Sequence, residues 1–151
     1  MGASDSPPLR RRARIVVATH GDLARALLSA VESIAGPQSD IVCLGLAAGE
    51  SPDVFEARLA SALAPDHPAL VLVDFPGGTP WNAALRAAHS REQVRVVSGV
   101  NLPMLLEVAL LPASDLEQAA GAAMDAGVRS IQLDPRRLAA QAGLARGDRT
   151  A

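Results

Sequence analysis

The sequence predicts an α/β protein with a flavodoxin-like parallel sheet and helices on both faces. Short apolar, β-branched runs alternate with longer segments whose apolar residues recur at helical spacing, which is typical of parallel strands joined by helices. Three of these runs stop abruptly, at His20, Asp74 and Ser98, and a glycine follows shortly after each stop. The alternation supplies four parallel strands without fixing their order. We expect the order 2-1-3-4, which puts the switch point of the sheet between His20 and Asp74.

The first half of the domain is expected to hold two strand–helix units. Residues 14–19 contain an apolar run just before His20 and predict a buried strand, and the helix at residues 23–35 ends at a Gly-Pro pair. Residues 41–46 predict the second strand. Ser51 then opens a second helix, because serine caps a helix and the proline after it suits the first helical position.

The second half repeats this pattern. Residues 69–74 predict the third strand, and Thr79 is the expected N-cap of a helix at residues 80–88. Residues 94–98 predict the fourth strand, which leads into a helix at residues 102–111.

A fifth helix and a last strand are expected toward the C-terminus. The spacing of Ser114 and Glu117 is that of a capping box, which opens a helix, and Gly127 is expected to end it. Residues 128–133, which follow that glycine, are expected to form a short last strand.

The chain of 151 residues is long enough for one domain with a substantial core. We place that domain at residues 14–133. Residues 1–13, which include three consecutive arginines, are expected to be a disordered and solvated lead. Residues 134–151 are rich in alanine and arginine and broken by glycine, and are expected to be a tail with a short, frayed helix.

The composition excludes several classes of protein. A net charge of -2 gives no electrostatic basis for nucleic-acid binding. All 14 basic residues are arginine, so a Walker A lysine, a Schiff-base lysine and a pyridoxal site are excluded. The single cysteine, Cys43, excludes an internal disulfide and a CxxC pair, and we interpret it as a small apolar core residue. No membrane span or signal peptide is evident, so we expect a cytoplasmic protein.

The candidate site lies where the first and third strands end. His20 and Asp74 both stand at carboxyl ends of parallel strands, which is the edge where ligands bind in open α/β sheets. Gly77 and Gly78 lead directly into the helix start at Thr79. Free backbone N–H groups and the positive end of the helix dipole make such a place favourable for phosphate.

Three motifs in order resemble the IIA component of the mannose family of the bacterial phosphoenolpyruvate:sugar phosphotransferase system (PTS). The family's Thr-His-Gly is matched at residues 19–21. Its second motif, Val-Asp followed by Gly-Ser/Thr-Pro and Asn-Ala, is matched between residues 73 and 83. Its third, Gly-Val-Asn-Leu/Ile-Pro-Met-Leu-Glu, is closely matched at residues 99–107. The similarity covers about residues 14–133.

The resemblance implies a phosphocarrier. The phosphorylated histidine of the carrier protein HPr would donate a phosphoryl group to His20, which would pass it to a IIB protein for sugar uptake. Because no IIB domain follows in this sequence, we expect IIB to be a separate protein. Two alternatives stay open: a regulatory module that is phosphorylated on His20 without feeding a transporter, and a phosphoryl donor to a dihydroxyacetone kinase. The sugar is not specified, because a IIA protein does not contact it.

The resemblance also assigns roles to the site residues. Asp74 is the supporting aspartate: by accepting the Nδ1 proton of His20 it would fix the tautomer and aim Nε2 outward as the nucleophile. The phosphate is expected to be held by a set of small residues, which comprises Gly77, Gly78, Thr79, Ser98 and Gly99. We expect no metal and no cofactor.

The sequence departs from the family pattern at two positions near the candidate site, and the family also implies a dimer. Pro76 precedes the glycine pair and would stiffen that loop, and Asp22 adds a negative charge close to the phosphate. In the resembling family the last strand pairs with the sheet of a second subunit. We therefore expect a homodimer in which residues 128–133 are exchanged, covering an open sheet edge.

Overall fold

Four strands and five helices alternate in the computed structural model, which describes residues 12–112 and 115–135. The strands are β1 (Arg14–His20), β2 (Ile41–Leu46), β3 (Ala69–Val73) and β4 (Val94–Ser98). The helices are α1 (Leu23–Ala35), α2 (Pro52–Ala62), α3 (Thr79–Ala88), α4 (Leu102–Leu110) and α5 (Leu116–Arg129). No helix among these residues is both long and apolar enough to cross a membrane.

The sheet is parallel throughout and its strand order is β2-β1-β3-β4, which confirms the expected order 2-1-3-4. In the register of β1 with its neighbours, Ala18 lies opposite Val73 and His20 lies opposite Leu46. The carboxyl ends of the two central strands therefore lie side by side. This neighbourhood brings His20 to the first residue after β3, which is Asp74.

Alternate residues of the central strands point to opposite faces and build two cores. On one face, the odd-numbered residues of β1 pack with α1, α4 and α5, as Ile15 and Val17 do. On the other face, Val16 and Ala18 pack with residues of α2 and α3, among which Phe55 is fully buried. Both central strands, β1 and β3, are thus covered on both faces, which explains why their sequences are almost continuously apolar.

The start of α3 differs from the prediction that Thr79 is its N-cap. Thr79 is already the first helical residue, and Gly78 is the N-cap, with the extended backbone (φ -74°, ψ 171°) that this position requires. No side chain from the described part of the chain caps this helix. The first turn of α3 therefore presents its backbone N–H groups beside a residue without a side chain.

The ends of α5 also differ from the prediction. Its capping box is formed by Asp115 and Gln118, one residue later than expected, whereas Ser114 lies outside the described residues. Gly127 does not end the helix. A Cβ atom there would lie 2.6 Å from the Cγ atom of Met104, so this glycine serves close packing of α5 against α4.

The prediction of a last strand at residues 128–133 is wrong for the single chain, in which this segment forms no strand. Val128 and Arg129 form the end of α5, and residues 131–134 adopt no regular secondary structure. Three apolar side chains in this region are exposed: Val128 by 72%, Ile131 by 81% and Leu133 by 51%. Exchange of this segment between subunits stays a prediction.

The two segments that flank the expected domain are described only in part. Ala13 is buried and the Arg12 guanidinium donates hydrogen bonds to the carbonyl oxygens of Val108 and Ala109 in α4, at 3.4 and 3.1 Å. These last two residues of the expected lead are therefore packed on the domain. The rest of the lead and nearly all of the expected tail lie outside the described residues.

Candidate functional site

His20 is the last residue of β1, and the turn after it is fixed against β2. The Gly21 N–H donates to the carbonyl oxygen of Leu46 at 2.9 Å, and Gly21 has a φ of 55°, which favours glycine. Gly45 on β2 lies so close that a Cβ atom there would be 2.1 Å from the Gly21 oxygen. Two glycines thus let the turn after His20 lie directly on the neighbouring strand.

A buried hydroxyl ties the same turn to α1. Thr19 is fully buried, and its Oγ1 atom accepts a hydrogen bond from the Ala24 N–H at 2.9 Å. Because an unpaired buried hydroxyl or N–H is costly, this bond holds the end of β1 to the first turn of the helix. The backbone position of His20 is therefore defined on both sides of the residue.

One carboxylate oxygen of Asp74 holds His20 at two points. Asp74 Oδ2 lies 2.7 Å from the His20 Nδ1 atom and accepts a hydrogen bond from the His20 backbone N–H at 2.8 Å. The imidazole is 41% exposed, whereas the Asp74 side chain is only 11% exposed. The pairing leaves the other ring nitrogen, Nε2, free of this carboxylate.

The loop that carries Asp74 is held in turn by backbone hydrogen bonds. The Phe75 N–H donates to Asp74 Oδ1 at 3.0 Å. The Gly99 N–H donates to the Asp74 carbonyl oxygen at 3.1 Å, and the Val100 N–H donates to that of Val73 at 2.9 Å. Both carboxylate oxygens and the backbone carbonyl of Asp74 are therefore engaged, which fixes the direction of the carboxylate.

The pKa of Asp74 is lowered from its ordinary value of 3.8. Burial is the largest single influence and acts in the opposite direction, because it disfavours the charged form. The hydrogen bonds from the His20 backbone and side chain and from the Phe75 backbone, with the charge of the imidazole, together outweigh it. Asp74 is therefore ionised at neutral pH and can accept a hydrogen bond from the imidazole or balance a positive charge on it.

The Phe75 ring lies flat against the imidazole of His20. The ring centroids are 5.0 Å apart and the planes differ by 12°, which is a stacked arrangement. Gly78 closes the same cluster: a Cβ atom there would lie 2.9 Å from His20 Cε1 and 3.0 Å from Phe75 Cζ. A side chain at the second glycine of the Gly-Gly pair would therefore displace at least one of these two rings.

The N-terminus of α3 lies beside the edge of the imidazole. The close approach of Gly78 to His20 places the cap of the helix there, and Gly77 adopts a φ of 89° in the turn before it. The Asn82 side-chain amide donates to the Gly77 carbonyl oxygen at 3.2 Å. The Asn82 backbone N–H donates to the Gly78 carbonyl oxygen at 3.0 Å. The carbonyl oxygens of Gly77 and Gly78 thus point into the helix. The positive end of the helix dipole favours an anion in front of the first turn of α3.

Ser98 and Gly99 support the site from β4. Ser98 lies opposite Val73 in the register of β3 with β4. The N–H of Gly99 is engaged by the Asp74 carbonyl oxygen, and its φ of 82° favours glycine. The position of these two residues indicates that they hold the Asp74 loop in place.

The surroundings of the site carry little free nucleophilic or metal-binding capacity. Burial raises the pKa of the half-buried Cys43 thiol, with Arg25 acting in the opposite direction, so this sulfur stays a thiol near neutral pH. Among residues 12–112 and 115–135, no group of three or more His, Cys, Asp or Glu side chains could hold a metal ion. The arrangement offers one positioned imidazole paired with one carboxylate.

Sequence reasoning placed His20 beside Asp74 and missed two supporting residues. Thr19 is polar at the end of an apolar run, which is the signal that could have identified its buried bond to α1. The contact of Phe75 with His20 depends on the loop conformation after β3, and no spacing in the sequence indicates it.

Comparison with known proteins places these features in a family. A family model described as "PTS system fructose IIA component" matches residues 14–125. The mannose-specific EIIAB component of Escherichia coli is 32% identical over 146 residues, which cover 91% of this chain and 45% of that protein. The fructose-specific EIIA component of Bacillus subtilis is 33% identical over 97 residues, which cover 62% of this chain and 66% of that protein. The chain thus spans less than two thirds of the length of these curated relatives.

A solved structure agrees with the sequence comparison. The mannose/sorbose-specific IIA subunit from Enterococcus faecalis superimposes with a TM-score of 0.78 at 30% identity. The match covers 82% of this chain and 95% of that one. This chain therefore shares its fold with a IIA subunit of known structure.

Proposed function

We propose that this chain, which belongs to the family of PTS system fructose IIA components, carries phosphoryl groups on His20. Membership of the family supports a role in sugar phosphotransfer. The observation that carries the residue assignment is the 2.7 Å contact between His20 Nδ1 and Asp74 Oδ2 at the carboxyl edge of the sheet. This contact prepares one ring nitrogen as a hydrogen-bonded donor and leaves Nε2 to act as the nucleophile.

In the proposed step, the lone pair of His20 Nε2 attacks the phosphorus of a phosphohistidine on HPr. The phosphorus–nitrogen bond of the donor breaks, and its electron pair returns to the donor imidazole. The proton on His20 Nδ1 stays in the hydrogen bond to Asp74, whose negative charge balances the positive charge that develops on the ring. In the second transfer His20 is the donor. Its phosphorus–nitrogen bond breaks, the electron pair returns to the imidazole of His20, and the phosphoryl group passes to the IIB protein.

We assign the phosphate cradle to the start of α3. Gly78, the N-cap of α3, lies against the imidazole edge, and Gly77 and Thr79 are its chain neighbours. The backbone N–H groups of these three residues and the Thr79 hydroxyl are our candidates for holding the phosphoryl anion, which is favoured at a helix N-terminus. Gly99 contributes through the hydrogen bond that its N–H donates to the Asp74 carbonyl oxygen, and Ser98 precedes it as the last residue of β4, opposite Val73. Phosphoryl transfer needs mainly positioning and charge balance, which this set supplies without a metal.

The proposal includes assembly and location. β4 is an edge strand, and a cavity of about 400 Å³ beside it is lined by apolar side chains including Trp81, Met124 and Ile131. A second copy of the chain would cover this edge and the exposed apolar residues that follow α5. We therefore retain the homodimer as a proposal. The expected cytoplasmic location is part of the same proposal.

The proposed function is tested by loading a phosphoryl group onto the protein and then transferring it to a IIB protein. The protein is incubated with phosphoenolpyruvate, enzyme I and HPr, and the phosphoryl group is located by mass spectrometry under conditions that preserve phosphohistidine. A IIB protein of the same family is then added. Loading of one phosphoryl group followed by its discharge to IIB is the expected result. Loading without discharge to IIB proteins of the mannose family contradicts the carrier function and favours the regulatory alternative.

A further inference from the structure

The geometry points to Phe75 as a positioning residue, whose ring holds the imidazole of His20 at the tilt that aims Nε2 at the incoming phosphorus. This inference rests on the proposed function and adds to it a residue outside the Thr-His-Gly and Gly-Gly-Thr-Pro motifs. It starts from the stacked contact, in which the ring centroids are 5.0 Å apart and the planes differ by 12°.

The hydrogen bond to Asp74 alone does not fix the orientation of the imidazole. The outer torsion of a histidine side chain is soft, because it joins an sp³ carbon to a planar ring. With Nδ1 held 2.7 Å from Asp74 Oδ2, the ring can still tilt about the line that joins these two atoms. Such a tilt swings Nε2 sideways. A flat contact on one face of the ring removes this freedom, and the Phe75 ring supplies it.

The position of Phe75 is itself fixed. Its N–H donates to Asp74 Oδ1 at 3.0 Å, so the residue that stacks on the imidazole is attached to the carboxylate that binds it. Pro76 follows and restricts the backbone. Gly78 fits against both rings, since a Cβ atom there would lie within 3.0 Å of each. The two rings, the carboxylate and the glycine therefore form one packed cluster.

The stack also suits the charge that develops during transfer. Formation of the bond between phosphorus and Nε2 leaves the imidazole positively charged while Nδ1 keeps its proton. The face of an aromatic ring attracts a cation within about 6 Å of its centroid, and Phe75 lies within that distance. Phe75 is 51% exposed, so its other face is open to solvent or to a bound partner.

The test compares Phe75→Leu, which keeps an apolar side chain without an aromatic face, with Phe75→Trp, which restores the face. Ile34→Ala is the control, because Ile34 is also an exposed apolar residue and lies at the far end of α1. Two readouts are used. The first is the proton NMR shift of the His20 ring in the unphosphorylated protein. The second is kcat and KM for transfer from phosphorylated HPr.

We expect the His20 ring protons of the wild-type protein to be shifted upfield by the Phe75 ring current, and Phe75→Leu to lose this shift. The same variant is expected to lower kcat about two- to tenfold, the scale of one aromatic pair contact, with KM for HPr within about twofold. Phe75→Trp should restore both readouts, and Ile34→Ala should change neither.

Three results would overturn the inference: wild-type ring protons without an upfield shift, a Phe75→Leu protein that transfers at the wild-type kcat, or a change confined to KM. The last result would make Phe75 a docking contact for HPr. Failure of the proposed function is distinguishable, because the wild-type protein would then take no phosphoryl group on His20. The NMR shift would still decide whether Phe75 orients the ring.

Discussion

Asp74 binds His20 through a single oxygen atom that contacts both the backbone and the side chain of the histidine. Asp74 Oδ2 lies 2.8 Å from the His20 backbone nitrogen and 2.7 Å from Nδ1. The first contact fixes where the chain leaves β1, and the second fixes which ring nitrogen of the imidazole is engaged. Both depend on β1 and β3 being neighbours, so the topology of the sheet produces the site.

Replacement of Asp74 by asparagine tests the role of the carboxylate charge. Asp74→Asn keeps the shape but removes the charge that favours the required tautomer and balances the positive ring. We expect a folded protein whose transfer from HPr is slowed by about 100-fold or more. Rapid-quench measurement of phosphoryl transfer gives the rate, and circular dichroism confirms the fold. Transfer near the wild-type rate would remove Asp74 from the mechanism.

The same pair gives a pH dependence of stability with a defined sign. The pKa of Asp74 is lowered in the folded protein, so its ionised form stabilises the fold at every pH above the ordinary value of 3.8. That contribution is lost as the pH falls through the lower, folded-state pKa. We expect Asp74→Asn to be less stable than wild type by about 1.5–3 kcal/mol at pH 7, the scale of hydrogen bonds to a charged group.

Urea unfolding of the two proteins between about pH 7 and pH 3 measures this difference. It should stay constant down to about pH 5 and shrink below about pH 4, because the carboxyl group then takes up a proton. A difference that grows as the pH falls would mean that the pKa of Asp74 is raised by folding.

Gly78→Ala tests the packing of the two rings against the loop. A Cβ atom at this position would lie 2.9 Å from His20 Cε1, so the imidazole must move away from its orientation. We expect phosphoryl transfer to fall at least tenfold, because reacting groups displaced by a fraction of an ångström lose alignment. The rate of loading by HPr is the measurement.

Gly121→Ala is the matched control for this substitution. Gly121 lies within α5, and a Cβ atom there has nothing within 4 Å. Alanine at this position should leave transfer unchanged and raise the free energy of unfolding by about 0.5–1 kcal/mol, since alanine favours a helix over glycine. If Gly78→Ala also transfers normally, the close packing of the loop on His20 has no part in function.

Truncation after Ser130 tests the proposed dimer. The cut removes the exposed apolar segment that includes Ile131 and Leu133 and leaves α5 complete, because α5 ends at Arg129. We expect the full-length chain to be a dimer at micromolar concentration and the truncated chain to be a folded monomer. Light scattering gives the two masses. A full-length monomer, or a truncated chain that stays dimeric, would contradict exchange of this segment.

The sequence predicted the four parallel strands from local patterns, and it also predicted that His20 and Asp74 lie close together. Apolar runs that end in polar residues identified the four strands, and the carboxyl edge then brought His20 and Asp74 together. The strand order needed more than alternation, since the pattern alone allows several orders. The observed neighbourhood of β1 and β3 settles it.

The differences arise where tertiary packing overrides local preference. Gly127 has the residue type of a helix end, yet the helix continues because the glycine gives room for Met104. Thr79 is a good cap by residue type, but the extended residue before the helix is Gly78. The stack of Phe75 on His20 depends on a contact across the sheet edge, which no local rule describes.

The most direct test of the proposed function is to determine which histidine carries the phosphoryl group. The chain contains three histidines, so His67→Ala and His89→Ala are matched controls for His20→Ala. All four proteins are incubated with phosphoenolpyruvate, enzyme I and HPr, and their intact masses are recorded at a pH that preserves phosphohistidine. We predict one phosphoryl group on the wild-type protein and on both controls, attached at Nε2 of His20, and none on His20→Ala. A His20→Ala protein that still gains the phosphoryl group would contradict the account.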